Sequence, residues 1–191
     1  MELTKASIIK RFIAFFIDWY LSSLLAGIPV VIMQSIQAKD LIILNRLDDL
    51  TLTNAWIGGL LALTVYTLYY CFLPCKEGSN RKLGQTFGRQ LMKIQLVKTD
   101  GSALTFTNLL IRDILGVLLL EGYLTSANIY IMSLIQMTTN SYVVPYFQAF
   151  YYATVTISLV LYFIRKKKQM LHDIISRTRM VESEKSVTTT I

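Results

Sequence analysis

The sequence predicts an all-α, polytopic transmembrane helical bundle of four spans, with a small cytoplasmic hairpin and helix between spans two and three. Three observations point there. Four stretches of 191 residues are apolar over the roughly 20 residues that a membrane crossing needs. Charged residues make up only 16% of the chain and hydrophobic ones 53%, with a mean hydropathy of +0.48. A soluble domain carries about 25% charged residues, so the polar supply is too small to wet a globular surface. The cations are also sorted, with 17 of the 19 Lys and Arg residues falling in three segments outside the apolar stretches.

The elements follow in order. Span one runs from about Phe12 to Met33 and contains Asp18. Span two runs from about Ala55 to Leu73. Span three runs from about Ile114 to Met137, contains Glu121, and could be split at Gly122. Span four runs from about Val143 to Ile164. Lys5, Lys10 and Arg11 precede the first span. Lys76, Arg81, Lys82, Arg89, Lys93, Lys98 and Arg112 lie between spans two and three, and Arg165–Lys168, Arg177, Arg179 and Lys185 follow the last. Positive residues favour the cytoplasmic side. Both termini, the 74–113 loop and the basic 165–191 tail are therefore expected inside. The Gln34–Asn54 loop and the Thr138–Tyr142 turn are expected outside. The apolar stretch of span one is too long for a signal peptide, holds an acid and lacks a small-residue cleavage site, so no cleavage is expected.

The 74–113 loop carries local signals. Gly78-Ser79-Asn80 reads as a turn and Leu83–Leu91 as a short helix. Ile94–Val97 reads as a strand, Thr99-Asp100-Gly101 as a turn, and Leu104-Thr105-Phe106 as a returning strand. Thr107-Asn108 is placed to cap a helix leading into span three. No internal repeat is visible.

Several function classes drop out. Two cysteines and one histidine do not make a disulfide scaffold or a conventional zinc site. Gly84-Gln85-Thr86-Phe87-Gly88 lacks the Gly-Lys-Ser/Thr ending of a phosphate loop, and no G-x-S-x-G or H-E-x-x-H occurs. No enzyme, cofactor or metal is expected, and the Arg165–Lys168 run has no interleaved aromatics that would favour nucleic acid. It reads as a topology anchor meeting anionic lipid.

Taken in order, Arg11-Phe12-Ile13-Ala14-Phe15-Phe16-Ile17-Asp18, Gly84-Gln85-Thr86-Phe87-Gly88-Arg89, Val97 with Asp100-Gly101, Arg112, and Leu171-His172-Asp173 with Thr178 resemble the RDD family of bacterial membrane proteins. The resemblance implies a single multi-pass domain over 1–191 in a bacterial cytoplasmic membrane. It implies transport, cation/proton exchange included, and carries the family's arginine to Arg11 and its aspartates to Asp18 and Asp173. Family members tend to have a small residue and Gly before the last Thr, where this chain has Ser176-Arg177.

The candidate ion- or proton-binding residues are Asp18 and Glu121, because an ionisable group among lipid tails is expensive and leans functional. Arg11 lies two turns before Asp18, and Ser22 extends the same stripe. Arg112, Asp173 and Asn128 complete the tuning or gating candidates. Asp173 could pair with Arg11 or Arg89, and His172 could sense protons. Two readings stay open for Asp18: a carrier of a proton or cation, or a fixed polar clamp. The partners read from the sequence are the lipid bilayer, a proton or monovalent cation, and either a second copy of the chain or another membrane protein. No nucleic acid is expected. Transport and a non-transporting accessory, immunity or stress role both stand.

Overall fold

The computed structural model describes residues 4–41, 45–77, 81–139, 141–166 and 168–183. The expected turn at Gly78-Ser79-Asn80, and the cations Lys167 and Lys185, lie outside them. Helix α1 (Ile8–Ala38) ends where Lys39 turns left-handed. Helix α2 (Leu52–Thr67) continues through a π-helical stretch (Leu68–Phe72) and a 3-10 turn (Leu73–Cys75) to make one apolar rod. Helix α3 (Phe87–Leu91) and strand β1 (Ile94–Lys98) follow. Helix α4 (Phe106–Leu109) runs directly into a π-helical segment (Leu110–Leu120). Helices α5 (Asn128–Thr138), α6 (Val144–Ile164) and α7 (Leu171–Ile175) and strand β2 (Thr178–Glu182) complete the chain.

Among the described residues, three helical rods are long and apolar enough to cross a membrane: Ile8–Ala38, Leu52–Cys75 and Val144–Ile164. Their burial is inverted relative to a soluble bundle. The buried stripe of α1 is Ala14, Asp18, Ser22, Ala26, Val30 and Gln34, one residue per turn and mostly small or polar. Phe12, Phe16, Tyr20, Leu24, Ile28, Ile32 and Ile36 face outward. Water would not tolerate so large an apolar exterior; hydrocarbon requires it. The α1–α2 contact is built from small residues, with Ala55, Gly58, Gly59 and Ala62 buried on α2. Such residues let helix backbones approach closely where lipid removes the hydrophobic drive.

The expected third span is not one continuous helix. It breaks after Leu120, where Glu121 leaves helical geometry, passes through a 3-10 turn (Gly122–Leu124), and restarts as α5. Gly122 is where the close approach occurs: a Cβ there would meet the Tyr151 ring at 2.7 Å. Thr125 and Asn128, four and seven residues after Glu121, would share its face only in an unbroken helix, and the break removes that face.

The expected local hairpin is also corrected. The turn at Asp100-Gly101 forms, with Gly101 at φ +78, but Leu104-Thr105-Phe106 is not a returning strand. Thr105 instead caps α4 in a reciprocal box with Asn108. Strand β1 pairs antiparallel with β2, from the far end of the chain, with Leu96 opposite Met180. Lone strands leave backbone groups unpaired, and the 165–191 tail, read as a basic extension, supplies the partner.

This pairing exposes a repeat that the sequence conceals. Gly84 and Lys168 both have positive φ, as do Lys93 and Arg177, each pair separated by 84 residues. At the same offset α3 corresponds to α7 and β1 to β2. Gln85 Nε2 donates to the Ile94 carbonyl, and Gln169 Nε2 to the Thr178 carbonyl. Thr99 N–H donates to the Arg177 carbonyl, and Ser183 N–H to the Lys93 carbonyl. The strand register maps onto itself about Leu96 and Met180. Each half is thus a long helix, a second helix, a short helix and a strand. The turn before Thr178, where the resemblance expects glycine, is made by Arg177 at φ 55, a conformation costing an L-residue about 1 kcal/mol.

Candidate functional site

The site forms where the two short helices press against the long helices at one end of the bundle. Helix α3 approaches α1 because Gly88 has no side chain; a Cβ there would lie 2.4 Å from the Ala14 carbonyl oxygen and 2.9 Å from the Asp18 carboxyl carbon. The reward is a set of donors for Asp18, which is 3% exposed. The Tyr69 hydroxyl (2.6 Å) and Gly88 N–H (2.8 Å) donate to Oδ1, and the Thr86 hydroxyl (2.5 Å) donates to Oδ2. Three donors from two elements hold the carboxylate. Ser22, one turn deeper, lies 3.3 Å from the Tyr70 hydroxyl.

Helix α7 meets the π-helical segment Leu110–Leu120, the first helix of the second half, in the corresponding way. Here the glycine sits on the other partner: a Cβ on Gly116 would lie 2.6 Å from His172 Cβ. The carboxylate comes five residues after that glycine rather than four after Ala14, since the π-helical segment widens the turn. Glu121 is fully buried. The Ser158 hydroxyl (2.8 Å) and the His172 N–H (3.2 Å) donate to Oε1, and His172 Nδ1 lies 2.9 Å from Oε2. Asp18 and Glu121 thus occupy equivalent places in the repeat, each tying a short helix to a long one.

Between the two clamps lies a network of ions. Arg11 does not reach Asp18. Its Nη1 donates to the Lys168 carbonyl at 2.8 Å and its Nη2 to Asp173 Oδ2 at 3.0 Å, with the guanidinium beside the Tyr162 ring. Arg112 links three groups: Nε donates to Asp173 Oδ1 at 3.1 Å, Nη1 to Asp113 Oδ1 at 2.5 Å, and Nη2 faces His172 Nε2 at 3.1 Å. Arg89 Nη2 lies 3.8 Å from Asp113 Oδ1. Arg89 Nη1 and Asp113 Oδ2 are buried without a hydrogen-bond partner among the described residues. Burial pushes the Asp173 carboxyl up, but the positive charge that His172 can carry, with Arg112 and Arg11, outweighs it and holds the group at about 2.

Arg11, Asp18, Arg89, Arg112, Asp113 and His172 line one cavity of about 290 Å³, walled by apolar side chains of α1 and α6. A second cavity of about 260 Å³ lies against Asn45, Asp48, Tyr130, Ser133, Gln136 and Gln148. Tyr66 borders the first, Leu47 and Tyr130 border the second, and all three belong to one apolar cluster.

Of the residues singled out from the sequence, Arg11, Asp18 and Arg112 line the first cavity, Asp173 binds both arginines, and Glu121 joins through His172. Ser22 stands beside it. Asn128 sits at the start of α5, its Oδ1 buried and unpartnered. Sequence reasoning passed over Asp113 and gave Arg89 only the role of an alternative partner for Asp173. The available signal was the adjacent Arg112-Asp113 pair leading into an apolar stretch. The Thr64, Thr67 and Thr156 hydroxyls of α2 and α6 donate to carbonyls of their own helices.

The model of the RDD family matches residues 5–177. No match is found among curated proteins or among solved structures.

Proposed function

From the premise that the chain belongs to the RDD family and is an integral membrane protein, we propose that it is a small secondary transporter exchanging a monovalent cation for a proton. One observation carries this. The network holds three guanidiniums, Arg11, Arg89 and Arg112, against four carboxylates, Asp18, Asp113, Asp173 and Glu121, all but Arg11 belonging to buried residues. With His172 neutral the set is one positive charge short. An uncompensated charge in a low-dielectric interior is costly, so the cluster favours taking up one cation or one proton and disfavours taking both. Competition for one vacancy of charge is the elementary requirement of exchange. Asp113 Oδ2 is the carboxylate oxygen left for the cation; Asp18 and Glu121, each surrounded by donors, serve as anchors.

The placement in the bilayer follows the charge pattern: both termini, α3, α7 and the sheet on the cytoplasmic side of a cell membrane. The broken segment from α4 to α5 acts as the fourth crossing. Discontinuous helices are tolerated in membranes where they line a protein interior or cavity. The first cavity then opens inward and the second outward, with the apolar cluster closing the path between them.

Flux in proteoliposomes tests this. With an imposed pH gradient, adding a monovalent cation should collapse the gradient, and Asp113→Asn should slow the collapse at least about tenfold, the factor that 1.4 kcal/mol represents. Wild-type vesicles that hold the gradient in sodium, potassium and lithium alike would remove exchange. If Asp18→Asn and Glu121→Gln proteins match wild type in flux, neither carries the ion. The donor saturation of Asp18 and Glu121 also favours a second reading, a non-transporting accessory protein built on a rigid scaffold. Cross-linking in native membranes that returns a single heterologous neighbour would support that reading.

A further inference from the structure

His172 is the sole histidine of the chain, and its hydrogen bonds fix where its proton sits. Arg112 Nη2 is a donor with no acceptor capacity and lies 3.1 Å from Nε2. Nε2 must therefore accept, and it carries no proton. A neutral imidazole holds one proton, so it is on Nδ1, donated to Glu121 Oε2 at 2.9 Å. The ring is held neutral, in one tautomer, between a carboxylate and a guanidinium.

We infer that His172 is the group that takes the exchanged proton, an assignment that rests on the exchange proposed above, and that proton uptake at Nε2 detaches Arg112 from α7. The bookkeeping is simple. One proton binds the Nε2 lone pair, no other bond breaks, and the ring becomes an imidazolium with two donors. Nε2–H and Arg112 Nη2–H then face each other as two donors of like charge. The nearest acceptor for Nε2–H is Asp173 Oδ1, 3.5 Å away, which now accepts from Arg112 Nε. Protonated His172 takes over that oxygen, and Arg112 keeps Asp113 alone. Both side-chain links from Arg112 to α7 are lost in one step, while Glu121 still holds the helix.

The surroundings agree. The charged and titratable groups around the ring are Arg112, Asp113 and Glu121 from the segment that follows α4, Asp173 from its own helix, Arg11 and Asp18 from α1, Arg89 from α3 and Tyr162 from α6. Tyr66 and Tyr70 of the α2 rod line the same cavity, and Ser158 of α6 bonds Glu121. Three positive groups against four negative ones leave room for one more positive charge, and the imidazolium fills it. His172 is 5% exposed, so its proton must pass through the cavity that it lines.

Nitrogen NMR of the full chain in lipid bilayers, with only histidine labelled, reads the assignment directly. At alkaline pH the ring should be neutral with its proton on Nδ1. Acidification should convert it to imidazolium. Arg112→Gln should raise the imidazolium fraction at a given pH, since a repelling charge is gone. Protection of the α7 amides, taken relative to the intrinsic exchange rate at each pH, should fall on protonation in wild type and stay constant in His172→Asn, which keeps a donor for Glu121 but takes no proton. An Nε2–H tautomer, or a ring that stays in one charge state throughout, would overturn the inference; either reading comes from the wild-type protein and needs no variant. Intact NMR behaviour without flux would retain His172 as a proton site and remove the exchange. Flux with an unresponsive ring would place the proton on another group.

Discussion

The two halves of the molecule solve one problem with different chemistry. In each, a short helix is fastened to a long one by a buried carboxylate accepting the backbone N–H of the second short-helix residue: Gly88 to Asp18, His172 to Glu121. In the first half the close approach is made by glycine on the short helix, so that position has no side chain. The remaining donors are the hydroxyls of Tyr69 and Thr86, which stay protonated over the physiological range. In the second half the glycine moves to the long helix, at Gly116, and the short-helix position is free to carry an imidazole. Moving one glycine across the interface separates a static clamp from one that can change charge.

The comparison can be broken most forcefully at Gly88. Gly88→Val would drive a branched side chain into the Ala14 carbonyl and the Asp18 carboxylate. Overpacking costs about 1–3 kcal/mol, and loss of the buried N–H bond adds to it. The first clamp should open, read as a lower thermal midpoint in lipid or detergent.

A second, intermediate effect sharpens the contrast through pH. Asp173 is held at about 2, below the ordinary carboxylate range. A depressed native value stabilises the fold above the unfolded value of about 4, and that stabilisation is lost as pH falls from about 4 to about 2. On the order of 2 kcal/mol is involved. Fastening of α7 should weaken in that window, and Asp173→Asn should abolish the acid limb, as followed by proteolysis after Arg177. The Asp18 clamp gives the internal comparison within the same protein.

The smallest effect is expected at the surface tie between halves. Lys10 Nζ lies 2.7 Å from Glu182 Oε1, with both side chains more than a third exposed. Solvent screens such pairs to about 0–1 kcal/mol. Lys10→Ala should shift the thermal midpoint slightly and leave the nitrogen NMR spectrum of His172 unchanged. A large change in that spectrum would mean the halves communicate through the sheet edge rather than through Arg112.

Much of this was legible from composition. The rods at Ile8–Ala38, Leu52–Cys75 and Val144–Ile164 announce themselves by apolar length, and the break near Gly122 was one of two outcomes open for the third segment. Arg11, Asp18, Arg112, Glu121 and Asp173 stand out because ions are rare in such a chain. Their partners were not legible. Arg11 and Asp18 share a helical stripe yet bind different groups, because the α3 donors reach Asp18 first and Asp173 captures Arg11. The partner of β1 was misjudged for a similar reason: a local turn at Asp100-Gly101 is readable, while a strand arriving from residue 178 is a non-local choice. The repeat escaped notice because it is written in backbone angles, such as those of Lys93 and Arg177, under unlike side chains.

Residue type alone makes hydrocarbon the surroundings of this chain, since the transfer of apolar and charged groups is a property of single residues. Which carboxylate anchors and which arginine bridges came with folding. Those are matters of a few tenths of an ångström between groups distant in the chain, and hydrogen bonds and ion pairs are set at that scale.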